Sequence, residues 1–221
     1  MQTYTMNVLS SVFSNLLKGK YYLLAGILII AFIIGATEFI HQVRGIPYAD
    51  LTRDPNAISL KPKYIGFVSQ IGLFFWFGTV SLCLASAIIL KHLAGDYLYV
   101  LYFRFFSFFT FVLGVDDVFM LHDASAHRGI NEKVIYIIYI VSLLYFLVKF
   151  FKLVFKTNFV LLFIAGLFLG LSVLWDVLYS SDYFIEDSFK IIGIVFWFLY
   201  FLDTTIKSVI NTTRGTIIEK A

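Results

Sequence analysis

Apolar positions run along this chain in long, nearly unbroken blocks rather than in alternation. The blocks predict helices at residues 21–41, 66–90, 98–122, 133–153, 159–180 and 188–209. A helix of about 20 apolar residues crosses the hydrocarbon of a bilayer. Barrel strands would alternate over only about ten residues, so an outer-membrane barrel is excluded. Most connections are short, which predicts that successive helices are antiparallel neighbours. The exception, residues 42–65, holds Pro47, Pro55 and Pro62 and reads as a structured outer loop. Ahead of the first block, Met6, Leu9, Phe13, Leu16 and Leu17 recur at helical spacing. They predict an interfacial amphipathic segment over residues 1–20, and the stretch lacks the basic start and cleavage site of a signal peptide. Residues 210–221 read as a C-terminal tail. The fold class expected is all-α: a polytopic integral membrane protein, a bundle of six transmembrane helices with short loops.

Composition agrees with the pattern. Only 14% of residues are charged and 60% are hydrophobic, against about 25% charge in a soluble domain. The net charge of +3 gives no reason to expect nucleic acid as a partner. Cys83 is the one cysteine, so an internal disulfide, a zinc finger and a CxxC motif are all excluded. Lysine and arginine lean toward the face that carries both termini, with Lys18, Lys20, Lys91, Lys149, Lys152, Lys156, Lys207, Arg214 and Lys220. The positive-inside rule then puts both termini in the cytoplasm and the chain in an inner or plasma membrane.

The opposite face is rich in acid. "VLGVDDVFMLHD…INEKVIYIIYIV" resembles "LGLSVLWDVLYS…FIEDSFKIIGIVFW" within the chain itself: apolar run, Asp-Val, turn, Glu, new apolar run. This alignment makes Asp117 equivalent to Asp176 and Glu132 equivalent to Glu186. It suggests an internal repeat of helical hairpins that brings equivalent acids to one level.

If the third span stays helical to His127, Asp116, Met120, Asp123 and His127 fall on one stripe, with Gly129 as its cap. Glu38 and His41 share a face at the same end of the first span, and Asp176 closes the fifth. A carboxylate in hydrocarbon costs about 2.5 kcal/mol or more, and crowded carboxylates repel. A bound cation, a basic partner or shared protons relieve that cost. Asp, Glu and His together suit Zn²⁺, Mn²⁺ or iron, and carboxylates alone suit Mg²⁺ or Ca²⁺. No HExxH motif occurs. The candidate divalent-metal ligands are therefore Glu38, His41, Asp116, Asp123, His127 and Asp176. Asp116, Asp117 and Glu132 are the candidate catalytic groups. Asp50, Asp54, Asp182 and Asp187 read as solvated helix ends, and Glu186 with Lys190 as an i,i+4 ion pair. Asp203 has Arg104 as its expected partner if their helices touch, and Gly166 with Gly170 forms a GxxxG pattern for close helix contact.

The leading expectation is a membrane-embedded, metal-assisted hydrolase acting on a lipid-like substrate from the bilayer. The alternatives are a cation or proton transporter or channel subunit, and a non-enzymatic membrane sensor or partner protein.

Overall fold

A computed structural model describes residues 20–52, 55–62, 64–93, 95–121, 132–178 and 183–218. The described residues form nine helices: α1 Lys20–Arg44, α2 Tyr48–Thr52, α3 Pro55–Ile58, α4 Phe67–His92, α5 Tyr97–Phe119, α6 Glu132–Lys149, α7 Phe151–Val154, α8 Phe159–Leu178 and α9 Tyr183–Ile218. The chain divides into two compact units, Met1–Ile65 and Gly66–Ala221. The interfacial segment expected over residues 1–20 falls almost wholly outside the described residues.

In the first unit, α1 runs into the proline-bearing loop, where α2 and α3 are single short turns. Pro55 opens α3, a position that needs no backbone N–H and for which proline's fixed φ is suited. Tyr48 anchors the loop to α1. Its ring stacks on His41 at 3.9 Å and its hydroxyl donates to Glu38 at 2.5 Å.

The second unit is a helical bundle built chiefly from α4, α5, α8 and α9. Its centre is aromatic: Trp76, Tyr102, Phe103, Phe106, Trp197, Tyr200 and Phe201 are buried. Trp197 meets Phe106 and Phe201 edge-on at 5.8 and 5.3 Å, a geometry the ring quadrupoles favour. Close approach of α8 and α9 depends on Gly193, because a Cβ there would lie 2.9 Å from the backbone nitrogen of Leu169. Gly166 and Gly170 do not serve this role. A Cβ at either would meet nothing within 4 Å, so the GxxxG pattern is not used for close packing among the described residues. The start of α5 is fixed by Asp96, whose side chain accepts from the Leu98 N–H at 2.8 Å.

Four helices among the described residues are long and apolar enough to cross a membrane, rather than the six expected: Phe67–His92, Tyr97–Phe119, Phe159–Leu178 and the Phe184–Gly215 part of α9. Helices also form at the first and fourth expected spans. The fourth fails because α6 is only 18 residues long and includes Glu132, Lys133 and Lys149; the chain then bends at Phe150 into the single turn of α7. The bundle's outer surface is apolar, with Phe74, Phe108 and Phe163 each more than 65% exposed. An all-α bundle with an apolar exterior is consistent with a multi-span protein embedded in lipid.

Candidate functional site

Asp116 and Asp117 stand near the C-terminal end of α5. Successive helix residues point about 100° apart, so the two carboxylates address different neighbours. Asp116 is buried and within hydrogen-bonding reach of Tyr139 on α6. Asp117 pairs with the Lys190 ammonium on α9, its side chain only 8% exposed. Asp176, near the end of α8, accepts from the Tyr136 hydroxyl on α6 at 3.0 Å. These groups surround a cavity of about 240 Å³, which Trp76, Ser172 and Glu186 also line.

The cross-links follow a rule. Tyr136 stands four residues after Glu132, and Lys190 four after Glu186. Tyr136 holds the acid that ends α8, while Lys190 holds the acid that ends α5. Each return helix thus grips the aspartate of the other hairpin. The i,i+4 spacing pointed to Glu186 as the partner of Lys190, but the ammonium contacts Asp117; Glu186 and Asp187 act on it only through space.

Two of the cavity-lining residues carry a buried polar atom with no hydrogen-bond partner among the described residues: Oδ2 of Asp117 and Nε1 of Trp76. One is an acceptor and the other a donor. Buried polar groups are normally satisfied, which sets these two side chains apart.

The other sequence candidates fare differently. Glu38 and His41 belong to the first unit and are committed there. Glu38 accepts from Tyr48 at 2.5 Å and Gln42 at 2.8 Å, and the His41 Nδ1–H donates to the Ile46 carbonyl at 2.8 Å. Their loop contacts also hold the Tyr48 phenol above its ordinary range, chiefly through the hydrogen bond to Glu38. Glu132 opens α6. Asp123 and His127 lie outside the described residues. The uninterrupted stripe proposed to join them to Asp116 is broken, however. Helix α5 ends at Phe119, and Met120 turns left-handed at φ 45°, ψ 51°, its N–H bonding the Asp116 carbonyl.

The metal expectation is overturned. Among the described residues no group of three or more His, Cys, Asp or Glu side chains could hold a metal ion. The physical reason is local: Lys190 answers Asp117, Tyr136 answers Asp176 and Tyr139 reaches Asp116. Lysine and phenol donors, and not a divalent ion, offset the buried acid. With the metal site goes the metal-assisted hydrolase that depended on it.

The middle of the bundle carries buried polar contacts as well. Below the cavity, the Trp197 indole donates to Thr110 at 3.0 Å. The hydroxyls of Tyr102 and Tyr200 lie 2.5 Å apart, with Thr157 3.0 Å from Tyr200. Ser86 and Thr205 are paired at 2.8 Å. Sequence signals for this column were present in α9, where Trp197, Tyr200, Thr204, Thr205 and Ser208 recur at helical spacing. Asp203 binds Lys207 on its own helix at 2.8 Å rather than Arg104.

No curated protein and no solved structure gives a significant match to the chain. Residues 21–204, which include every residue lining the cavity, match the family described as a domain of unknown function (DUF8692), and the protein belongs to that family.

Proposed function

We propose that this protein binds and moves a cation or proton across a membrane, as a transporter or channel subunit, with the Asp116–Asp117–Lys190 chamber as its binding site. The observation that carries this proposal is the concentration of ionisable side chains in one cavity of an apolar bundle, where Asp116, Asp117, Asp176, Glu186 and Lys190 all line the wall. Ionisable groups within an apolar bundle are expensive and mark ion or proton pathways.

Two further features support it. The buried hydroxyl column from Thr110 to Ser208 supplies polar groups where a purely one-sided site would need none. The crossed contacts of Tyr136 and Lys190 fit a pair of repeated hairpins around the chamber, and repeats meeting at a site are the usual frame for gated access. On this proposal the lysine-rich face with Lys91, Lys149, Lys152 and Lys156 is cytoplasmic, and the chamber opens toward the other side.

The test is gradient-driven uptake in proteoliposomes, run separately for H⁺, Na⁺, K⁺ and a small organic ammonium. Wild type is expected to exceed protein-free vesicles for at least one of these, and Asp117→Asn to lower that uptake at least tenfold. If no cation crosses although one binds the chamber, the protein is a sensor or partner and the transport proposal fails.

A further inference from the structure

We infer that the link from Lys149 to Phe159, which contains α7, is a binding site for an anionic phospholipid, seated at the membrane surface and separate from the chamber. Lys149, Lys152 and Lys156 alternate there with Phe151, Phe155 and Phe159. Backbone bonds continue in helical steps, from the Phe150 N–H on the Phe146 carbonyl to the Thr157 N–H on the Val154 carbonyl. Spacings of three and four therefore sort these side chains into stripes.

The first stripe is buried. Phe150, Leu153 and Val154 tie the link to the bundle. The second is aromatic and open: Phe151 and Phe155 are 58% and 57% exposed with ring centres 4.5 Å apart, and Phe159 extends the row at 5.0 Å. The third is cationic, with Lys149, Lys152 and Lys156 all exposed. Phe159 also opens α8, one of the helices long and apolar enough to cross a membrane, so the stripes stand where that helix meets the membrane surface. Exposed rings beside a row of lysines suit a segment lying in the interface, with rings toward acyl chains and ammonium groups among headgroups.

Charge complementarity decides the occupant. No Asp or Glu stands between Glu132 and Asp176 in the chain. Among the described residues none of the three lysines forms an ion pair, whereas Lys207 on α9 has Asp203 at 2.8 Å. Lys149 has the Phe146 and Phe150 rings beside it, 5.6 and 5.9 Å from their centres. A headgroup phosphate supplies the negative charge that the protein does not. A free phosphate would supply it too, but has no use for the exposed rings; a phospholipid brings both the anion and the chains that cover them. The link is also held in place. The Thr157 hydroxyl donates to the Val154 carbonyl at 2.6 Å and lies 3.0 Å from the Tyr200 hydroxyl. A platform fixed in advance loses little conformational freedom on binding.

The experiment is native mass spectrometry of the full chain, titrated in detergent micelles with phosphatidylglycerol or with zwitterionic phosphatidylcholine. Phosphatidylglycerol is expected to bind saturably and about tenfold more tightly than phosphatidylcholine. Each lysine near an anionic headgroup contributes about fivefold in affinity, so Lys149→Gln/Lys152→Gln/Lys156→Gln should weaken phosphatidylglycerol by about tenfold or more. Phe151→Ser/Phe155→Ser should weaken both lipids and keep the preference between them. Lys91→Gln/Lys207→Gln/Arg214→Gln removes the same charge from the rest of the lysine-rich face and should leave phosphatidylglycerol binding nearly unchanged. Inorganic phosphate in large excess should not displace the lipid. Equal binding of the two lipids overturns the inference, and so does an equal loss in the two triple variants, which would mean diffuse charge rather than a site. Displacement by phosphate, with binding indifferent to the phenylalanine substitutions, means a phosphate site and overturns it as well. All the substituted side chains lie outside the chamber wall, so none of these failures touches the transport proposal.

Discussion

The Asp117–Lys190 pair can be separated into its parts by a double-mutant cycle. Lys190→Met removes the ammonium and leaves Asp117 as a lone charge with 8% side-chain exposure. Breaking a buried pair from one side costs about 3–5 kcal/mol. The lower end, about 3 kcal/mol, is expected here, because the Lys190 side chain keeps 30% exposure and some screening by solvent. Asp117→Asn should cost less, about 1–2 kcal/mol, because a lysine can extend its stem and carry its charge outward. The double variant leaves no orphan charge, so its loss should fall near that of the milder single variant. The coupling is then about 3 kcal/mol, well above the average of about 0.6 kcal/mol for hydrogen bonds between membrane helices. The assay is reversible unfolding in mixed micelles, followed by far-ultraviolet circular dichroism. If the single losses add within about 0.5 kcal/mol, the pair contributes nothing as a pair. The account of how buried acid is neutralised is then wrong.

Other consequences are as direct. Gly193→Ala forces a methyl to 2.9 Å from the Leu169 backbone nitrogen and should cost about 1–3 kcal/mol by overpacking, whereas Gly166→Ala, facing open space, should lose nothing in the same unfolding assay. Asp96→Ala removes the cap on Leu98 and should cost about 1 kcal/mol at the start of α5. The Tyr48 phenol, held up by its bond to Glu38, should ionise later than a free tyrosine when followed by phenolate absorbance. Glu38→Gln should bring it back toward its ordinary value. Because the folded value is the higher one, this bond favours the folded loop below pH about 10 and ceases to do so as pH rises through the raised value.

Much of the helical frame was legible in the sequence because long apolar runs speak for themselves. The expected span at 66–90 became Phe67–His92, and that at 159–180 became Phe159–Leu178. Among the described residues four and not six are long and apolar enough to cross a membrane, and for the fourth expected span apolarity alone did not weigh the charges that close in on α6 from both ends. The Asp116–Asp117 pair was legible too, as acid set between apolar residues. Its partner was not. Lys190 looked local because the i,i+4 rule sees only one helix, while the real contact joins residues 73 positions apart. The break at Met120 left no trace in the sequence, since neither glycine nor proline marks it. A heptad-like stripe drawn through to His127 was therefore a property of an ideal helix and not of this one. Trp76 escaped notice because a tryptophan in an apolar run reads as bulk; its buried, unsatisfied N–H beside the cavity lining sets it apart.

The most direct test of the central claim is charge movement on a solid-supported membrane carrying the reconstituted protein, after rapid jumps in the concentration of H⁺, Na⁺, K⁺ or a small organic ammonium. A current in wild type that Asp117→Asn removes is the predicted result. Currents no larger than those of protein-free membranes for all four cations, from a protein shown to be folded, would contradict it.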